Sequence, residues 1–311
     1  LRSIVKDSDT GACGAALTGL QTVEMASQCV NPSTCLSGQQ VTIGDSTAIA
    51  SNSGAGVTAY TDISLIFDTD GIAEFTFDYS DAGLISLHAK KDIPETADDP
   101  AYTLLGASNA FVVRPFGFGF PDIMNADGDA NTGGDETGGG GFAAAGEDFD
   151  ITVAAYRWQQ FDDINQDGKP DAHADVTNNG VTPNFKADVH LTLGTTTPTS
   201  LTSVVGVLTG TTPIPEPDFA DTMIGGGLGR AESAIAYTEV GSIKINAVTV
   251  DYLGDGDADI QGISQIIGRF YPDHFILVSS DATHACGLFT YMGQTFALEY
   301  NLQAKALGGG L

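Results

Sequence analysis

Tyr237-Thr238-Glu239-Val240-Gly241, followed at alternate positions by Ile243, Ile245 and Ala247, repeats an earlier stretch of the chain, Tyr79-Ser80-Asp81-Ala82-Gly83 followed by Ile85, Leu87 and Ala89. Each copy runs on to an arginine beside aromatics: Val112-Val113-Arg114-Pro115-Phe116 in the first, Ile266-Ile267-Gly268-Arg269-Phe270-Tyr271-Pro272 in the second. Apolar residues at period two mark a β-strand with one buried face. A separation of about 155 residues is too long for a solenoid or a propeller blade, so the copies read as duplicated domains. A second echo lies beyond each arginine, Gly146-Glu147-Asp148-Phe149-Asp150-Ile151 and Gly293-Gln294-Thr295-Phe296-Ala297-Leu298. The expected scheme is a first module with a Cys-rich start over 1–114, a second over 115–270, and the opening of a third, or an extension, over 271–311. On that scheme the chain comes from a longer protein.

Composition narrows the partners. With 42% hydrophobic residues in 311 positions there is ample material for a core, and the length suggests two domains. The net charge of -28 sets 40 acidic residues against 12 basic ones, a surface that repels nucleic acid and anionic lipid. Asp supplies 31 of the acids and Glu nine, and Asp favours turns, caps and calcium loops over helix interiors. No run of 18 apolar residues exists to cross a membrane as a helix, and no basic-then-apolar leader stands at Leu1. Cys29 and Cys35 bracket Val-Asn-Pro-Ser-Thr, which suits a small disulfide-closed loop formed in an oxidising compartment; no histidine lies near enough for a zinc site. Cys13 and Cys286 are left unassigned.

The remaining segments are short β-type runs separated by Gly, Asp, Asn and Thr. Thr61 to Phe67 alternates into Asp68-Thr69-Asp70-Gly71, and Ile72 to Tyr79 alternates again, a pattern that predicts a hairpin with Phe75 and Phe77 on one face. Phe111 to Phe120 predicts an aromatic strand broken at Pro115. Asn125 to Glu147 turns to Gly and Asp and predicts a long mobile loop or a cation site. No apolar period of 3.6 persists over three turns. The expected fold class is all-β, tandem immunoglobulin-like β-sandwich modules with long acidic, Gly-rich loops.

The sharpest chemical motif is Asp163-Ile164-Asn165-Gln166-Asp167-Gly168-Lys169-Pro170-Asp171. Oxygen-bearing side chains at positions 1, 3, 5 and 9, glycine at 6 and the Lys169 carbonyl at 7 match the front of a Ca2+ loop, since calcium takes six to eight hard oxygen ligands. A calcium loop carries a bidentate Glu at position 12, where Ala174 stands here, with Asp175 one place later. The competing reading is a solvated Asp-Gly turn. Weaker clusters are Asp127, Asp129, Asn131 and Asp135, and Asp255, Asp257 and Asp259, where spacing of two points carboxylates to one side of an extended loop.

Catalytic patterns are sparse. Gly44-Asp45-Ser46 with Asp281-Ala282-Thr283-His284 resembles the end blocks of GDSL-type esterases, but the helices and middle blocks that fold would need are missing. His88 and His190 sit in alternating strands, and His173 beside the acidic loop is a poor calcium ligand. Trp158 is expected in the core, with a sugar-stacking platform as the alternative.

Tyr237 to Ile243, Gly268-Arg269-Phe270-Tyr271-Pro272-Asp273-His274-Phe275 and Phe289-Thr290-Tyr291-Met292-Gly293-Gln294 resemble signature segments of MshQ-like proteins, associated with MSHA-type IV pili of Gram-negative bacteria. Thr182-Pro183-Asn184-Phe185 and Phe111 to Pro115 fit the same pattern. The resemblance implies a secreted, multi-module β-protein at the bacterial cell surface, in contact with other modules of its own chain, pilus subunits or surface glycans, with no catalytic residues to carry over. Three functions follow as expectations: a calcium-stabilised structural or adhesive segment, a calcium-dependent carbohydrate-binding module, and, remotely, the esterase.

Overall fold

The computed structural model describes residues 1–6, 11–44, 46–54, 56–96, 100–135, 137–172, 174–197, 206–220, 228–256 and 259–309. Within them the chain is all-β, with helix confined to four short 3₁₀ turns. The first part contains β1 (Ile4–Lys6), β2 (Cys13–Ala15), β3 (Gly19–Asn31), β4 (Val41–Ile43), β5 (Thr47–Ala48), β6 (Ala50–Asn52), β7 (Thr61–Phe67), β8 (Phe77–Tyr79), β9 (Gly83–Ile93), β10 (Tyr102–Ala107) and β11 (Phe111–Val113). Then come β12 (Gly117–Asn125), β13 (Ala143–Ala144), β14 (Asp148–Tyr156), β15 (His190–Thr197), β16 (Leu208–Gly210), β17 (Arg230–Tyr237), β18 (Gly241–Thr249), β19 (Ile260–Ile263) and β20 (Ile267–Tyr271). A last hairpin is formed by β21 (His274–Thr283) and β22 (Ala297–Lys305).

In the first sandwich β9 lies between β3 on one side and β10 and β11 on the other, and β3 continues to β6 and β7. The second sheet is β5-β4-β8. Alternation does the rest: Val23, Met25, Ile63 and Ile85 meet Val41 and Ile43 in one core. The second sandwich sets β12-β14-β17-β16 against β13-β20-β18-β15, with β19 also on β18. Its core joins Phe118, Phe149 and Ile235 to Ile243, Ile267 and Phe270.

The two copies of the decisive stretch occupy equivalent strands. Ile85 pairs with Phe111 and Ala89 with Gly106 on β9; Ile243 pairs with Ile267 and Ala247 with Gly262 on β18. Between the two short partner strands each module inserts one serine. Ser108 Oγ accepts the Leu87 N–H at 3.0 Å, and Ser264 Oγ accepts the Ile245 N–H at 2.9 Å. A hydroxyl thus fills a ladder position where the partner strand breaks. The glycine that opens each long strand takes a positive φ, +145° at Gly83 and +113° at Gly241. At Gly83 a Cβ would stand 2.9 Å from the Asn31 carbonyl oxygen, so the loop after β3 requires glycine there.

Cys29 and Cys35 are disulfide-bonded with Cα atoms 5.6 Å apart; Cys13 and Cys286 are free. The hairpin expected around Asp68 is not one. β7 pairs with β3 and β8 with β4, so the chain crosses between sheets at Asp68–Ile72. Asp68 Oδ1 accepts the N–H groups of Asp70 and Ile72, and Ile72 bridges to Arg2 instead of to β7. The Gly-rich stretch after Asn125 also differs from a free loop: Asn131 Nδ2 donates to the Ile266 carbonyl, and Arg269 Nε to that of Asp135.

In the last hairpin Phe275, Leu277, Leu298, Tyr300 and Leu302 share one face by register, and all are half or more exposed. In the second echo Leu298, Tyr300 and Leu302 align with Ile151, Val153 and Ala155 on β14, which are buried in the core of the second sandwich.

Candidate functional site

The segment that leaves β14 at Tyr156 carries most of the residues singled out in the sequence. It is tied at its base by the Arg157 N–H on the Gly180 carbonyl, and by Asn179 Nδ2, which donates to Arg157 O at 3.0 Å and Asp162 Oδ2 at 2.8 Å. Asp163 is 4% exposed. Its Oδ1 accepts the Asp167 N–H and its Oδ2 the Trp158 indole N–H, both at 3.0 Å. Asn165 Oδ1 accepts the Asp167 N–H, Asp167 Oδ1 the Lys169 N–H, and Asp171 Oδ2 the Ile164 N–H. The loop is therefore closed by side-chain oxygens on backbone donors, with Gln166 and Gly168 at positive φ making the turn.

Trp158 is not in the core: it is 52% exposed, pinned by Asp163 rather than by packing. Its indole N–H needs a partner, and the loop supplies one at the surface. Phe161 and Ile164 beside it are exposed as well.

Among the described residues no group of three or more His, Cys, Asp or Glu side chains converges as a metal site would require. Asp175 caps a 3₁₀ turn by accepting the Thr177 N–H. Asp127 and Asp129 lie exposed in a turn organised by Asn125 Oδ1, and Asp135 holds Thr137 and Gly138. The Thr137 hydroxyl and backbone bonds hold the Asp135 carboxyl below its ordinary range. Asp255 faces Arg114 at 3.5 Å, Asp259 lies apart on the groove described next, and Asp257 lies outside the described residues. Of the esterase pattern, Asp45 lies outside the described residues, as does His173 of the acidic loop, and the His284 ring nitrogen meets Thr290 Oγ1 at 3.4 Å.

The acidic loop and the outer face of β15, β18 and β19 together line an open groove of about 1000 Å³. Two glycines seat this wall. A Cβ at Gly117 would stand 2.8 Å from Pro170, and one at Gly119 would stand 2.8 Å from Thr177 and the Tyr156 ring. Gly117 and Gly119 therefore let the loop lie flat on β12. The floor presents Thr192, Lys244, Asn246, Val248, Gln261 and Ile263; Lys169, Asp171, Asp175 and Asp259 stand around it. Sequence alternation places Lys244 and Asn246 outward between Ile243, Ile245 and Ala247, but nothing in the sequence tells that a distant loop lines the same groove.

A second constellation lies where the sandwiches meet. Asp81, in the corner after β8, is 2% exposed, and its Oδ1 accepts the Ala82 N–H at 2.8 Å and the Asn184 N–H at 2.9 Å. Asn184 Nδ2 reaches the Thr34 carbonyl in the disulfide loop at 3.3 Å. Phe185 is wholly buried against Phe118, Phe219 and Tyr252, with centroids 5.0 to 5.5 Å apart, and Ala82 joins the same core. Burial pushes the Asp81 carboxyl up to about 6, although the two N–H donors and Arg157 oppose that shift; burial likewise pushes the Tyr79 hydroxyl up to about 12. Both motifs, Tyr79 to Gly83 and Thr182 to Phe185, are visible in the sequence, but their mutual contact is not.

Three models of one family match the chain in order: Domain of unknown function (DUF6701), first Ig-like domain, over residues 1–107; DUF6701, second domain, over 114–223; and DUF6701, third domain, over 239–311. The chain belongs to the DUF6701 family. No curated protein and no solved structure matches it. The stretch matched by the third DUF6701 domain begins at Glu239 and takes in β18 to β20, which share one core with β12, β14 and β15.

Proposed function

We propose that this chain is a non-enzymatic structural and adhesive segment of a secreted, pilus-associated protein of the bacterial cell surface, in the setting of the MshQ-like proteins its signature segments resemble. The observation that carries this reading is the junction at Asp81, Asn184 and Phe185, which inserts the corner of one sandwich into the core of the next. Domains joined by a flexible linker expose polar, hydrated contacts; a buried carboxylate with two donors and an aromatic anchor makes a stiff joint. Stiff tandem sandwiches transmit force and hold a binding surface away from a membrane. The Cys29–Cys35 bond suits an oxidising compartment. Surface labelling of intact cells producing the full-length protein tests the setting: labelled protein in the sheared pilus fraction is expected, and protein confined to the cytoplasm with both thiols alkylatable contradicts it.

Calcium stabilisation is a second reading. It is supported by oxygen-bearing side chains at Asp163, Asn165, Asp167 and Asp171 on a turn with Gly168 at φ +77°. A cation there would take over oxygens that now hold backbone N–H groups.

A further inference from the structure

We propose that the groove between residues 168–172 and 174–177 and the outer face of β15, β18 and β19 binds a neutral oligosaccharide. This goes beyond the structural reading above and does not depend on a pilus setting.

The floor is laid out in rows across three strands. Thr192, Asn246 and Ile263 are directly paired in one row, and Val248 and Gln261 in the next. Paired side chains on one sheet face stand roughly 5 Å apart, about the width of a sugar ring, so hydrogen-bonding and apolar groups alternate on that scale. A pyranose has the matching character, with hydroxyls around its edge and C–H groups on its faces. Among the described residues the side chains of Thr192, Lys244, Asn246 and Gln261 have no hydrogen-bond or ion-pair partner in the protein. Lys244 and Asn246 are nonetheless half-buried in the groove. Amides supply donor and acceptor side by side, the arrangement that vicinal hydroxyls satisfy. Phe116, Pro115 and Pro170 add apolar wall.

Other ligand classes fit less well. Asp171, Asp175 and Asp259 around the groove are balanced by Arg114, Lys169 and Lys244, so the lining holds no excess of positive charge to select an anion, and the chain's net charge of -28 repels one at long range. An added peptide strand needs a free sheet edge, whereas the floor is a face whose central strand, β18, is paired on both sides. A purely apolar ligand would leave the amides and Lys244 unpaired. A groove of about 1000 Å³ takes several sugar rings, at the upper end of ligand sites.

The test is a glycan array carrying neutral gluco-, galacto-, manno- and N-acetylglucosamine pentasaccharides beside sulfated and sialylated glycans, followed by titration of the best pentasaccharide. The comparison proteins are Asn246→Ala with Gln261→Ala, and separately Lys244→Ala; all three side chains point outward, so melting temperatures should match wild type. The expected result is binding to at least one neutral pentasaccharide, weakened tenfold or more in the double variant, with amide shifts centred on Thr192, Asn246 and Gln261. No binding to any neutral glycan at millimolar concentration overturns the proposal, as does undiminished binding by the double variant or tighter binding of the anionic glycans.

Discussion

Asp81 shows how one residue sets the behaviour of the joint. Its carboxyl is pushed up from 3.8 to about 6, so folding takes up a proton in the window between those values. A raised carboxyl favours the folded state most below pH about 4, and that contribution is lost as pH rises through about 6. Asp81→Asn keeps an acceptor for Ala82 and Asn184 while removing the charge. It should stabilise the fold at pH 8 by on the order of 1–3 kcal/mol, raising the melting temperature there, and change it little at pH 4. Equal shifts at both pH values in a thermal melt would refute the account of the buried charge. Asp81→Ala instead leaves two buried N–H groups without an acceptor and should cost about 1–3 kcal/mol at pH 4 and less at pH 8, where it also removes the buried charge. Phe185→Ala removes the aromatic anchor and should cost about 3–5 kcal/mol, measured by denaturant unfolding.

At the scale of elements the duplication gives a paired experiment. Ser264 is 3% exposed and Ser108 is exposed, yet both hydroxyls cap the same ladder position. Ser264→Ala should therefore cost about 1–2 kcal/mol and Ser108→Ala distinctly less, because water replaces only the latter. Comparable losses would show that burial is not what separates the copies. For the acidic loop, the calcium reading predicts that chelator lowers the wild-type melting temperature, by about 2.7 kcal/mol of stability at a hundredfold excess of ion over Kd, and leaves Asp167→Ala unmoved. An unmoved wild type leaves the loop as a wall closed by its own hydrogen bonds. The elements themselves were legible where alternation is long: β9 and β18 follow from Ile85, Leu87 and Ala89 and from Ile243, Ile245 and Ala247. Asp68 to Gly71 was misleading because an Asx turn looks the same whether the chain reverses in one sheet or crosses to the other. Trp158 was misleading because an indole anchored by Asp163 needs no core, and that partner lies in a turn whose geometry the spacing alone does not fix.

At the scale of the whole molecule, a net charge of -28 makes the folded chain repel itself. Raising ionic strength from about 0.01 M to 0.15 M shortens the screening length from roughly 30 Å to 8 Å, and should raise the melting temperature measured by calorimetry. That effect acts against a joint whose strength is local, since Asp81 and Asn184 are buried and hydrogen-bonded to each other where the sandwiches meet, and Phe185 is buried in the core beside them. The groove and the joint draw on the second sandwich in different ways: the first on outward residues of β18, the second on the loop that carries Phe185 into its core. Amide hydrogen exchange of the intact chain, read at Ala82 and Asn184, tests the stiff joint most directly. Their N–H groups donate to Asp81, so both should exchange as slowly as the core amides of β9 and β18. Exchange at the rate of exposed loop amides would mean that the joint opens independently of the sandwiches, and the proposed rigid segment would fall with it.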